Sequence, residues 1–143
     1  MHLSSHAFQN NNSIPKKYTC QGEGINPPLS IMDIPSKAKT LVLLLEDPDT
    51  PGGYFLHWAV FDIPVINEIV ENSTPGKLAF NDGGQIEYTP PCPPTGTHRY
   101  IFTVFAVDIF INKPDGIAVK EIKKTIEGHV LASDKLVGLY KKS

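Results

Sequence analysis

The chain has 143 residues, 41% of them apolar and 20% charged, with a formal net charge of −2. That length predicts one domain spanning 1–143 with a single sizeable core, and the composition excludes a disordered chain and the basic footprint of a nucleic-acid binder. No apolar stretch reaches the roughly 20 residues a membrane-spanning helix needs, and MHLSSHAFQNNNSIPKKY at the N-terminus lacks the basic start and apolar run of a signal peptide, so the cytoplasm is the expected location.

The first 39 residues offer no periodic run. Cys20 lies here, and the other cysteine, Cys92, sits far along the chain in a different context. Neither belongs to a CxxC pair, which argues against structural zinc. Reduced thiols are the default for a cytoplasmic chain, with a disulfide between two loop cysteines as the alternative. TLVLLLED (40–47) is a continuous apolar run between Pro35 and Pro48, short enough for a strand covered on both faces. FLHWAVFDIP (55–64) is similar and stops at Pro64.

Between these two strands stands EDPDTPGGYFLHW (46–58), a polar, proline-stiffened turn that brings up a histidine beside the only tryptophan. Thr50–Pro51 is a candidate for a cis bond. Residues 65–97 read as loops, with ENSTPG, NDGG and TPPCPPTG as their landmarks. HRYIFTVFAVDIF (98–110) is the clearest strand. Alternation puts His98, Tyr100, Phe102, Val104 and Ala106 on one face and Arg99, Ile101, Thr103, Phe105 and Val107 on the other. Both faces are largely apolar, so the strand is expected to be central. A helix is predicted over Val119 to Glu127 from the spacing of Val119, Ile122 and Ile126, ending at Gly128. HVLASDKLVGLY (129–140) reads as a final strand or a short helix. The C-terminal lysines read as a solvated face. The fold class is mostly β: a β-sandwich of antiparallel sheets with one or two peripheral helices.

DPDTP, LHW and PPCPPTGTHRY each flank a predicted central strand, where loops gather at the rim of a sandwich. Together they resemble the two signature regions of the phosphatidylethanolamine-binding proteins, which include the Raf kinase inhibitor proteins, and most closely their small bacterial and archaeal branch. IPKKYTCQGEGINPPLS (14–30), Asn81-Asp82 and EGHVLASDKLVGLY (127–140) extend the resemblance along nearly the whole chain. It implies a small anion-binding cavity lined by Asp47, Asp49, Pro51, His57, Pro93, Pro94, Gly96, His98 and Tyr100, with His129 and Tyr140 at its edge. Three departures bear on its shape: Pro90 where relatives have Gly, Ile31 where they have Trp, and a shortened 76–86 loop.

The chemistry stands beside the resemblance. A phosphate needs N–H and O–H donors in a shielded hollow, and two imidazoles and a tyrosine supply them. The prolines at 90, 91, 93 and 94 have no N–H to offer. The acids must orient an imidazole or meet a ligand's ammonium group, and an orienting carboxylate raises a histidine's pKa. The expected partner is therefore phosphate or a phosphoethanolamine-like ligand. A kinase or serine protease target and a homodimer are implied by resemblance alone. Competing readings are a serine-protease inhibitor acting by surface contacts and a weak Asp/His hydrolase, although no activated nucleophile is visible. Two acids and two histidines could also suit zinc or iron, but the proline between the acids need not aim both at one ion. A non-enzymatic binding protein with no metal and no cofactor is the expectation. Trp58 is expected in the core, turned away from His57 by alternation, and Arg99 as an ion-pair partner.

Overall fold

The computed structural model describes residues 1–143. Nine strands and one α-helix form, with a single 3-10 turn at Lys16–Tyr18: β1 (His2–Ser4), β2 (Asn12–Ser13), β3 (Leu29–Met32), β4 (Thr40–Thr50), β5 (Gly53–Ile63), β6 (Glu68–Ile69), β7 (Lys77–Leu78), β8 (His98–Val107), α1 (Val119–Ile126) and β9 (Val130–Tyr140). The large sheet runs β2-β9-β8-β4-β5-β7 and the small one β1-β3-β6. Pairing is antiparallel except for the two-residue contact of β2 with β9. Residues 129–140, open between strand and helix in the sequence, pair with β8 along its whole length.

Two apolar clusters explain why the central strands are apolar on both faces. Leu41, Leu43, Leu45, Trp58, Val60, Tyr100, Phe102, Val104 and Leu136 face Leu3, Leu29, Ile31 and Ile69 of the small sheet. Val42, Leu44, Leu56, Ala59, Phe61 and Val107 face the other way, onto Ile122 and Ile126 of α1. Ile31, one of the departures named from the resemblance, is wholly inside the main cluster. The helix is one residue shorter than its spacing predicts, and Gly128, at φ +80°, turns the chain out of it.

Two expectations are corrected. Cys20 and Cys92 are bonded, with Cα atoms 5.4 Å apart, and the loop over Cys92 is further tied by the Cys20 N–H donating to the Pro91 carbonyl at 3.1 Å. Every peptide bond is trans, Thr50–Pro51 included; the turn is closed instead by the Thr50 hydroxyl donating to the Gly53 carbonyl. The disulfide escaped the sequence because the pairing depends on two loops meeting in space.

Candidate functional site

A break in the ladder builds the site. Along β4 and β5, Leu43 pairs with Val60, Leu44 with Ala59 and Leu45 with Trp58, but Glu46 then pairs with Leu56. One residue of β5, His57, is therefore extra. Leu56 and Trp58, two apart, would share a face in a regular strand, yet Leu56 joins the helix-side cluster and Trp58 the main core. The bulge swings the His57 ring towards Tyr100, with ring centroids 5.4 Å apart, and towards Phe55 at 4.9 Å. Trp58 is core as expected, but through this bulge and not by simple alternation.

The bulge opens onto a cavity of about 250 Å³ lined by Asp47, Thr50, Phe55, His57, Thr89, Pro90, Cys92, Pro93, Pro94 and Tyr100. Five residues named from the sequence are among these: Asp47, His57, Pro93, Pro94 and Tyr100. His98 stands against Asp47, its Nδ1 2.7 Å from Asp47 Oδ2, and its ring lies 6.4 Å from that of Tyr100. Pro51 and Gly96 are exposed and do not line the cavity. Asp49 does not line it either. A second register shift, between Asp47 and Thr50, turns Asp49 outward. There its carboxylate accepts from the Arg99 backbone N–H at 2.8 Å, from Nε at 3.0 Å and from Nη2 at 2.8 Å. This fork holds the Asp49 carboxyl at a pKa of about 2. Arg99 is thus the ion-pair partner its strand position implies, and Asp49 is what it pairs with.

Asp47 is almost fully buried and its oxygens are occupied: Oδ1 accepts from the Asp49 N–H at 2.8 Å, Oδ2 from His98. The orienting carboxylate expected from the sequence serves His98, and His57 is held by the backbone. Its Nδ1 lies 2.7 Å from the Thr89 carbonyl oxygen, not against a carboxylate. Burial is the dominant influence on the ring and pulls its pKa below the ordinary value of 6.5, against the smaller opposing effects of Thr89, Asp47 and Asp82. Burial likewise pushes the Tyr100 phenol up, with Asp47 adding to it, so Tyr100 is a neutral donor.

The loop that offers Thr89 is itself held by Asn81. The Asn81 side-chain amide donates to the carbonyls of His57 at 3.3 Å and Glu87 at 2.9 Å and to the Thr89 hydroxyl at 2.8 Å, while its oxygen accepts from the Gly83 and Gln85 N–H groups. Asp82 adds a bond from the Leu56 N–H at 2.7 Å. These two are the Asn81-Asp82 of the sequence resemblance, with a positioning role. Phe55, Thr50 and Thr89 were not among the candidate site residues; Phe55 follows from the bulge, and the threonines lie inside DPDTP and TPPCPPTG without a residue type that marks them as lining. Pro90 lines the wall and packs on Gly24, where a Cβ would meet its Cγ at 3.3 Å. Tyr140 pairs across from His98 and its hydroxyl bonds Gln21, near the cavity end. His129 bonds Asp108 at the opposite end of the sheet, away from the cavity.

A family model described as phosphatidylethanolamine-binding protein matches residues 4–141. Among similar curated proteins, a UPF0098 protein of Chlamydia muridarum is 42% identical, with 98% of each chain covered, and one of Methanothermobacter thermautotrophicus is 41% identical over 99% of each. The crystal structure of a phosphatidylethanolamine-binding protein homolog from Chlamydia trachomatis superposes with a TM-score of 0.96 at 40% identity, covering 99% of this chain and 97% of that one. E. coli YbcL superposes at 0.90 with 20% identity, covering 99% and 98%, which shows the shared fold.

Proposed function

The chain belongs to the phosphatidylethanolamine-binding protein family, and with that as premise we propose that its cavity binds a phosphate-type anion, such as a phospholipid headgroup or a phosphorylated small ligand. One observation carries the reading: His57, Tyr100 and Asp47 converge on a single hollow whose remaining wall is largely Phe55 and prolines. The proline wall cannot donate hydrogen bonds and does not flex, so the ligand's polar atoms are left to the few convergent side chains. A zwitterion suits both signs, with an ammonium group beside Asp47.

Binding is favoured over catalysis by the state of the nucleophile candidates. Cys92 is consumed in the disulfide. The hydroxyls of Thr50 and Thr89 are engaged by the Gly53 carbonyl and the Asn81 amide, and neither histidine bonds them. A kinase or serine protease as the regulated target, and a homodimer, are proposals that rest on the family resemblance. The cytoplasm remains the proposed location, although a formed disulfide weighs against an ordinary reducing cytosol.

The test is an NMR titration of the His57 and His98 ring signals with inorganic phosphate and with O-phosphoethanolamine. Saturable shifts on both rings, abolished in His57→Ala, are expected. Two unresponsive rings would sink the reading.

A further inference from the structure

The neighbours of His57 assign both of its ring nitrogens. Nδ1 faces the Thr89 carbonyl oxygen at 2.7 Å. A carbonyl only accepts, so Nδ1 carries the hydrogen. Nε2 makes no bond within the protein, and it is not sealed, because no fully buried side-chain nitrogen or oxygen lacks a partner. Nε2 is therefore the edge the cavity meets. In the neutral ring that edge is a lone pair. His98 has the same polarity, its Nδ1 donating to the Asp47 carboxylate at 2.7 Å.

Lone pairs are poor company for the oxygens of an anion. A proton must stand between them, and it has two sources: the ring can take one from water, or the ligand can bring one. The groups around His57 make the first source costly. Asp47 from β4, His98 and Tyr100 from β8, and Asp82 from the loop after β7 are the titratable groups about the ring. The two carboxylates favour the imidazolium and His98 opposes it, but burial outweighs them and the ring resists charging. The second source needs no buried imidazolium. A phosphomonoester near its second ionisation, at about pH 6, still carries a P–OH that can donate to Nε2. A phosphodiester has none.

Resting on the anion-pocket reading above, we propose that the site discriminates by protonation: it takes a small phosphomonoester, with one proton shared between His57 Nε2 and a phosphate oxygen, in preference to a phosphodiester. No bond to phosphorus forms or breaks. The cavity of about 250 Å³ has room for a terminal phosphate, with Phe55 and the prolines in its wall.

Calorimetric titration of the full chain compares O-phosphoethanolamine with glycerophosphoethanolamine, which share a headgroup and differ by one ester. At about pH 7 the monoester binds tighter by about tenfold or more, the effect of leaving an acceptor facing an acceptor. At about pH 8, where the free monoester is mainly a dianion, its binding takes up close to one proton per ligand, read from the heat in two buffers of different ionisation enthalpy. In His57→Gln the two ligands converge and the proton uptake disappears. Equal affinities in the native chain, tighter diester binding, or a heat independent of buffer at about pH 8 overturns the proposal and leaves the anion pocket standing. If neither ligand binds at any pH, the pocket itself is refuted and the proposal with it.

Discussion

Removing the Cys20–Cys92 bond is the perturbation whose size follows most directly from the structure. The bond joins residues separated by 72 positions. In the chain-entropy account, a closed loop of that length costs the denatured chain about 15 cal/mol/K, or about 4 kcal/mol at 25 °C. Unfolding entropy near the midpoint scales as about 2.1 cal/mol/K per residue, so for this chain it is about 0.3 kcal/mol/K. Dividing one by the other places the loss in Tm at roughly 13 °C. The folded structure should survive, because the same two loops stay joined by the Cys20 N–H donating to the Pro91 carbonyl and the Tyr88 hydroxyl donating to the Tyr18 carbonyl. Both cysteines are exposed, so a reductant reaches them without unfolding the protein. Scanning calorimetry of the native chain with and without reductant, beside Cys20→Ser/Cys92→Ser, measures the effect. The double variant should match the reduced protein, and thiol counting should give no free thiol before reduction. A fall of less than about 1 kcal/mol, or about 3 °C, would refute the reasoning, since the tie would then not be constraining the denatured chain.

Three further outcomes are expected. In Asn81→Ala, a buried side chain that satisfies three acceptors and two backbone donors is lost, so stability should drop by about 2–4 kcal/mol in denaturant melts; a loss below about 0.5 kcal/mol would remove Asn81 as the support of the Thr89 loop. The Asp49 carboxyl should titrate by NMR near pH 2 and return towards its ordinary value of 3.8 in Arg99→Ala, and an unmoved midpoint would show that the guanidinium is not the cause. For His57 the folded pKa lies below the unfolded one, so between the two values the unfolded chain binds the extra proton. Its contribution to stability is thus complete above about pH 6.5 and is lost as pH falls towards the folded value; the slope of stability against pH just below 6.5 should flatten in His57→Gln, and an unchanged slope contradicts the assignment.

What the sequence revealed and what it hid divide along a physical line. The long strands were legible because burial on both faces leaves continuous apolar runs, and β8 kept strict alternation from Tyr100 to Ala106. The small sheet was not legible. Its strands are two to four residues long, too short to carry a period, and they exist because Leu3, Ile31 and Ile69 cover the main core. The site was half legible. Residue types at the strand ends named Asp47, His57, His98 and Tyr100, and the family resemblance joined them.

Two register shifts decided the rest. Period-two reasoning puts Asp47 and Asp49 on one side and turns His57 away from the core face on which Trp58 packs. The shift between Asp47 and Thr50 sends Asp49 outward to Arg99, so one acid ties the hairpin to β8 and only the other meets the cavity. The shift between Leu45 and Glu46 inserts His57 as an extra residue, so its ring reaches Tyr100 without displacing Trp58. A bulge costs ladder bonding, and nothing in a single sequence marks where that cost is accepted. Here it is accepted where the Asn81 amide captures the His57 carbonyl and the Thr89 carbonyl captures the ring. The irregular 79–97 loop is therefore the structural counterpart of the bulge. Its capture of the ring through Nδ1 is what leaves Nε2 unbonded within the protein, so the unperiodic stretch of the chain sets the chemistry of the most regular one.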